Sequence, residues 1–102
     1  MGIVIGIDVG GSTTKIVGIN KGQIQSPMFI TATDPVTSLF GAFGKYIYDN
    51  GIQLSDVEQV MLTGVGSAFV DSPLYGLPTC KTDEFIANGL GALFPEPFCG
   101  FL

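Results

Sequence analysis

The chain of 102 residues has room for one small domain or for part of a larger one, and its 13% of charged residues is about half the usual share. A net charge of −5, from four lysines and no arginine, makes nucleic-acid backbones and anionic membranes poor partners. With no histidine present, histidine-based triads and histidine-ligated zinc are excluded.

Residues 2–9 are apolar at nearly every position instead of at alternate ones, the pattern of a central strand. They lead into Asp8-Val9-Gly10-Gly11-Ser12-Thr13-Thr14-Lys15. Paired glycines let a backbone approach a phosphate and aim N–H groups at its oxygens, to which hydroxyls and a lysine also donate. A carboxylate at the end of a buried strand can hold Mg2+, usually through water. The segment fails the Walker pattern GxxxxGK(S/T), because Ser12 stands where the lysine is required, and Ile7 and Val9 interrupt the dinucleotide pattern GxGxxG. Both patterns open a helix, whereas residues 14–20 are β-branched, short and bounded by turns. The spacing therefore predicts a hairpin loop between two strands.

Asn20-Lys21-Gly22 is turn chemistry, and residues 23–31 predict a third strand that completes an antiparallel meander. Asp34-Pro35 predicts a helix start, with Asp34 as N-cap and Pro35 at the first helical position. Val36, Leu39, Phe40, Phe43 and Ile47 draw one apolar stripe, closed by Asn50-Gly51. Gly41 and Gly44 are expected to let this helix lie close against the sheet. After a turn at Ser55-Asp56, residues 57–63 predict a fourth strand, ending in a second glycine-rich loop, Thr63-Gly64-Val65-Gly66-Ser67. That loop lies at a strand's carboxyl end, where open α/β sheets bind ligands. Residues 69–78 are turn-rich, and Thr79-Cys80-Lys81 is a candidate fifth strand.

Residues 83–94 suggest a last helix capped by Thr82 or Asp83, although Gly89 and Gly91 would each cost ~1 kcal/mol inside it. Residues 95–102 are apolar and broken by prolines. The organisation is accordingly read as a half-domain over 1–94 followed by an apolar tail, 95–102, at an apparent truncation. Cys80 and Cys99 make neither a disulfide framework nor a metal quartet, so two reduced thiols are expected. No stretch reaches the ~20 apolar residues of a membrane span, and no basic segment precedes the apolar start. These features set the expectation of a cytoplasmic chain without a membrane partner.

Asp83 and Glu84 stand together at the start of the predicted last helix. Acids there complement the helix dipole. One of them would also serve as the general base that takes a proton from a hydroxyl attacking a γ-phosphate. Neighbouring helical residues diverge by ~100°, so only one would face a cleft.

The loop Gly6-Ile7-Asp8-Val9-Gly10-Gly11-Ser12 with Lys15 resembles the first phosphate loop of the acetate and sugar kinase/heat-shock 70/actin superfamily. With Leu62-Thr63-Gly64-Val65-Gly66-Ser67 and Glu84-Phe85-Ile86-Ala87-Asn88-Gly89-Leu90-Gly91-Ala92, the chain is similar to the amino-terminal portion of type II pantothenate kinases, up to about Leu93. The resemblance implies an α/β, ribonuclease H-like half-domain: a three-stranded antiparallel meander extended by parallel strands, with helices packed on the sheet. It implies ATP and Mg2+ as cofactors, with Asp8 at the metal and Gly10, Gly11, Ser12, Thr13 and Lys15 at the phosphates. Gly64 and Gly66 of the second loop are assigned to the same nucleotide. Glu84, seven residues before Gly91, becomes the catalytic base in preference to Asp83, and pantothenate or a similar hydroxylated molecule the acceptor.

In that family the second phosphate loop, the adenosine segment and most acceptor contacts belong to a carboxyl-terminal half. The 102-residue chain is therefore expected to bind ATP weakly or not at all and to turn over nothing measurable. Its sparse charge leaves apolar surface for that half or for a second copy in a homodimer. One alternative with the same first loop is an ATPase activator of 2-hydroxyacyl-CoA dehydratase or benzoyl-CoA reductase, which drives electrons from a 4Fe–4S cluster. Another is a non-catalytic, stand-alone half-domain or assembly module.

Overall fold

The apolar run of β1 (Ile3–Val9) is central because it has a strand on each side. The computed structural model describes residues 2–20, 23–25, 27–31 and 33–82, and the backbone of 85–87, 93–95 and 100–101. A tight turn returns β1 into β2 (Thr13–Asn20), antiparallel to it. The single third strand expected over 23–31 is two, β3 (Gln23–Ile24) and β4 (Met28–Thr31), both antiparallel to β2. Between the pairs Ile19–Ile24 and Ile16–Met28 the edge advances four residues where β2 advances three. The extra residue makes a bulge, at a segment that contains Pro27, which has no N–H to give a ladder.

Helix α1 (Pro35–Asp49) starts as expected: Asp34 accepts from the Thr37 N–H at 2.8 Å and from its hydroxyl at 2.6 Å. It ends at Asn50, with Gly51 at φ +65°. The buried stripe is rotated from the one expected. Ser38, Leu39, Ala42, Phe43 and Tyr46 are buried, whereas Val36 and Phe40 are exposed and Ile47 half-buried. Two of those buried residues fasten the helix to β2 by hydrogen bonds. The Tyr46 hydroxyl accepts from the Gly18 N–H at 2.8 Å, and Ser38 donates to the Thr14 hydroxyl at 2.7 Å. Gly41 and Gly44 do not mediate a close approach to the sheet: Gly41 faces open space, and Gly44 looks toward the Tyr75 hydroxyl.

A short 3-10 turn over Leu54–Asp56 leads into β5 (Val57–Thr63), parallel to β1. Two more such turns, Val65–Phe69 and Leu74–Gly76, connect it to β6 (Thr79–Lys81), parallel to β5. Ile5, Ile7, Val9, Ile16, Val60 and Leu62 form one sheet face under Leu39, Phe43 and Tyr46 of α1, all fully buried. Each such side chain contributes about 1.5–3 kcal/mol on leaving water. The architecture is a ribonuclease H-like half-domain: an antiparallel meander extended by parallel strands, with a helix on the sheet.

The helix expected over 83–94 does not form where the chain is described. Instead β7 (Phe85–Ala87) pairs antiparallel with β8 (Leu93–Pro95), and β9 (Gly100–Phe101) pairs with β6. The sequence between β7 and β8 carries two glycines, and Phe-Ile favours strand over helix. Cys80, buried on β6, is disulfide-bonded, which corrects the expectation of reduced thiols; Cys99 lies outside the described residues. No helix among the described residues is long and apolar enough to cross a membrane.

Candidate functional site

The carboxyl ends of the parallel strands β1 and β5 bring the two glycine-rich loops together. At the end of β1, the Gly10 N–H donates to the Thr13 carbonyl at 2.9 Å, closing a hairpin with Gly11 and Ser12 at its tip. A Cβ on Gly10 would lie 2.6 Å from that carbonyl oxygen, so the turn itself requires glycine there. Gly11 differs: a Cβ on it would meet nothing within 4 Å. Its outer side is open, and Ser12 and Thr13 beside it are exposed.

The second loop serves the first as a spacer. Gly64 has φ +92° and ψ 162°, a conformation essentially restricted to glycine. A Cβ on Gly64 would press on the Asp8 carboxylate and stand 2.5 Å from the Val9 carbonyl oxygen. A Cβ on buried Gly66 would lie 2.7 Å from the Gly10 carbonyl oxygen and 2.9 Å from Pro35 Cβ. Ser67 fastens the loop by donating its hydroxyl to the Gly64 carbonyl at 2.7 Å.

Strand register places the charged groups. Asp8 pairs with Lys15 on β2 and with Thr63 on β5, so all three side chains share one sheet face, opposite the one covered by α1. Asp8 and Lys15 are exposed at this end, while Thr63 is buried. Lys15 pairs in turn with Phe29 on β4, and its ammonium lies 5.7 Å from the centre of that ring. Behind the hairpin, fully buried Thr14 anchors β2 to α1 through Ser38.

The structure thus brings together Asp8, Gly10, Gly11, Ser12, Thr13, Lys15, Gly64 and Gly66, while Glu84 lies outside the described residues. Sequence reasoning took Thr14 as one of the loop hydroxyls, but Thr14 is fully buried and bonded to Ser38 instead of facing the open side. It placed Thr63 only in the motif of the second loop, and it passed over Phe29 and Ser38. Thr63 and Phe29 follow from Asp8 by counting register across strands; Ser38 gave no signal beyond a hydroxyl within an apolar pattern. Among the described residues no group of three or more Asp, Glu, Cys or His could enclose a metal. One exposed carboxylate among hydroxyls fits Mg2+, which keeps most of its waters and takes one or two carboxylates plus phosphate oxygens. It does not fit zinc or a metal held by protein ligands alone.

No protein-family model matches the chain, and no curated protein matches it. Among solved structures, the activator of 2-hydroxyisocaproyl-CoA dehydratase from Clostridium difficile, with bound ADPNP, is 25% identical over 69% of this chain and 26% of its own, with a TM-score of 0.51. YeaZ from Pseudomonas aeruginosa is 12% identical over 83% of this chain and 46% of its own, with a TM-score of 0.61. An uncharacterised protein from the same organism, with similarity to peptidase YeaZ, gives 13%, 85%, 45% and 0.62 respectively. The fold is the actin-like ATPase fold. The chain spans from about a quarter to under half the length of these proteins.

Proposed function

We propose that the chain is the phosphate- and metal-binding lobe of an ATP-using enzyme. The observation that carries this reading is the placement of Asp8, exposed between Lys15 and the Gly64 loop at the strand end beside the open side of Gly11. The Gly11-Ser12-Thr13 backbone and hydroxyls would donate to β- and γ-phosphate oxygens, and Lys15 would offset their charge. Asp8 would hold Mg2+ through water. When bound, the metal neutralises charge on the transferring phosphoryl group. The ADPNP bound to the dehydratase activator, at 25% identity, supports the same nucleotide class here.

For a complete enzyme the acceptor reading is a hydroxylated small molecule, pantothenate by the sequence resemblance, with Glu84 as its base. A second reading, the ATPase activator, is favoured by the identity to the dehydratase activator. Disulfide-bonded Cys80 offers no thiolate to an iron–sulfur cluster. In the complete enzyme, ATP-dependent phosphorylation of pantothenate would support the kinase, and an iron-dependent brown chromophore on anaerobic purification would support the activator.

The lobe reading is tested by titrating the chain with Mg2+ and ADPNP, followed by NMR. For this lobe alone the expected Kd is about millimolar, near −4 kcal/mol, and hydrolysis is not expected. Asp8→Asn should abolish the metal-dependent part of binding while leaving the urea midpoint unchanged, since Asp8 is exposed. An Asp8→Asn chain that binds Mg2+ and ADPNP like the wild type would refute the reading.

A further inference from the structure

Four side chains stand in one row across neighbouring strands: Phe29, Lys15, Asp8 and Thr63, linked by direct pairings. Directly paired residues share a face and lie about 4.8 Å apart. The Lys15 ammonium therefore has a carboxylate on one side and an aromatic ring on the other. Charge attraction alone would draw it onto Asp8. Instead it sits over the Phe29 ring, and among the described residues no ion pair joins Lys15 to Asp8. Phe29 is 63% exposed, so its place on this edge is not explained by burial in the core.

We propose that Phe29 is a positioning residue: its ring holds the Lys15 ammonium off Asp8, keeping the carboxylate available to Mg2+ and the cation available to the terminal phosphates. The inference rests on the nucleotide reading above. A Lys15–Asp8 pair would quench both partners, because the metal would have to displace the ammonium and the phosphate would have to compete with the carboxylate. The negative face of an aromatic ring attracts a cation, whereas leucine covers similar apolar surface without that attraction. Phe29→Leu thus removes the hold on Lys15 while keeping an apolar side chain at an exposed position. Phe29→Trp keeps the hold.

The experiment uses the labelled 102-residue chain as wild type, Phe29→Leu, Phe29→Trp and Lys15→Met, with side-chain NMR before and during titration with Mg2+ and ADPNP. In wild type and Phe29→Trp, the Lys15 ε-methylene protons should be shifted upfield by the ring relative to those of Lys45. In Phe29→Leu that shift should vanish, and affinity for Mg2+ and ADPNP should fall about two- to fivefold, the scale of one exposed cation–π contact. Phe29→Trp should restore it. Unshifted Lys15 protons in the wild type would overturn the contact. If Lys15→Met weakens nucleotide binding and Phe29→Leu does not, the role of Phe29 is refuted alone. If Lys15→Met leaves binding unchanged, the nucleotide reading falls and the positioning role falls with it.

Discussion

Gly64 and Gly11 allow scaffolding to be separated from ligand contact, because the same substitution meets opposite surroundings. Alanine at Gly64 would have to keep φ near +92°, which strains any residue with a Cβ. It would also press that Cβ on the Asp8 carboxylate and to 2.5 Å from the Val9 carbonyl oxygen. Backbone strain of ~1–3 kcal/mol and overpacking of ~1–3 kcal/mol sum to ~2–6 kcal/mol. A domain of this size has ~5–15 kcal/mol in total. With a urea m-value of ~2 kcal/mol per molar, the middle of the usual range, the midpoint should fall by ~1–3 M. Alanine at Gly11 meets nothing within 4 Å and needs no positive φ, so its urea midpoint should match wild type. Its methyl group would nonetheless occupy the open side where phosphate oxygens approach the backbone, and Mg2+–ADPNP binding should be lost. A Gly64→Ala chain as stable as wild type, or a Gly11→Ala chain that binds ADPNP undiminished, would show that the two glycines were assigned wrongly.

Ser38→Ala should cost about 1–3 kcal/mol in urea unfolding by leaving the buried Thr14 hydroxyl without its donor, and adding Thr14→Val should recover most of that loss. Tyr46→Phe should cost a similar ~1–3 kcal/mol by orphaning the Gly18 N–H. Burial holds the Tyr46 phenol above its ordinary 10.0, against the opposing effect of the Gly18 hydrogen bond. A raised folded value means stability that is full below pH 10 and lost as pH rises through the folded value, so Tyr46→Phe should unfold with less alkaline sensitivity than wild type. Hydrogen bonds from the Thr37 hydroxyl and N–H hold Asp34 below its ordinary 3.8, giving stability that is present above that value and lost as pH falls through the folded one. Asp34→Ala should lower the thermal midpoint near neutrality and flatten its dependence on pH below 3.8, read by circular dichroism.

Local rules made the ends of α1 legible, because Asp34, Pro35 and Gly51 act on the backbone beside them. Its buried face was less so. Counting apolar letters selected Val36 and Phe40, yet Phe40 finds an edge-on partner in Tyr75, with ring centres 5.3 Å apart, and remains at the surface. Ser38 and Tyr46 were passed over because a hydroxyl reads as solvent-facing until its partner is known. Those partners, Thr14 and Gly18, lie 24 and 28 residues away. The break between β3 and β4 was obscured by an otherwise continuous β pattern, in which Pro27 was the warning.

The candidate site divides along the same line. The hairpin between β1 and β2 was legible because carboxylate, glycines, hydroxyls and lysine fall within eight consecutive residues, 8–15. The reason for Gly64 and Gly66 was not, since it depends on β5 running parallel to β1 with Asp8 opposite Thr63. That register makes the second loop pack against the first, so each glycine is first a fit of backbone to backbone. The same register gives the open face its order of ring, cation, carboxylate and hydroxyl. A phosphate held at Gly11 and Lys15 and a metal held at Asp8 would then be neighbours by strand spacing alone, before any second lobe closes over them.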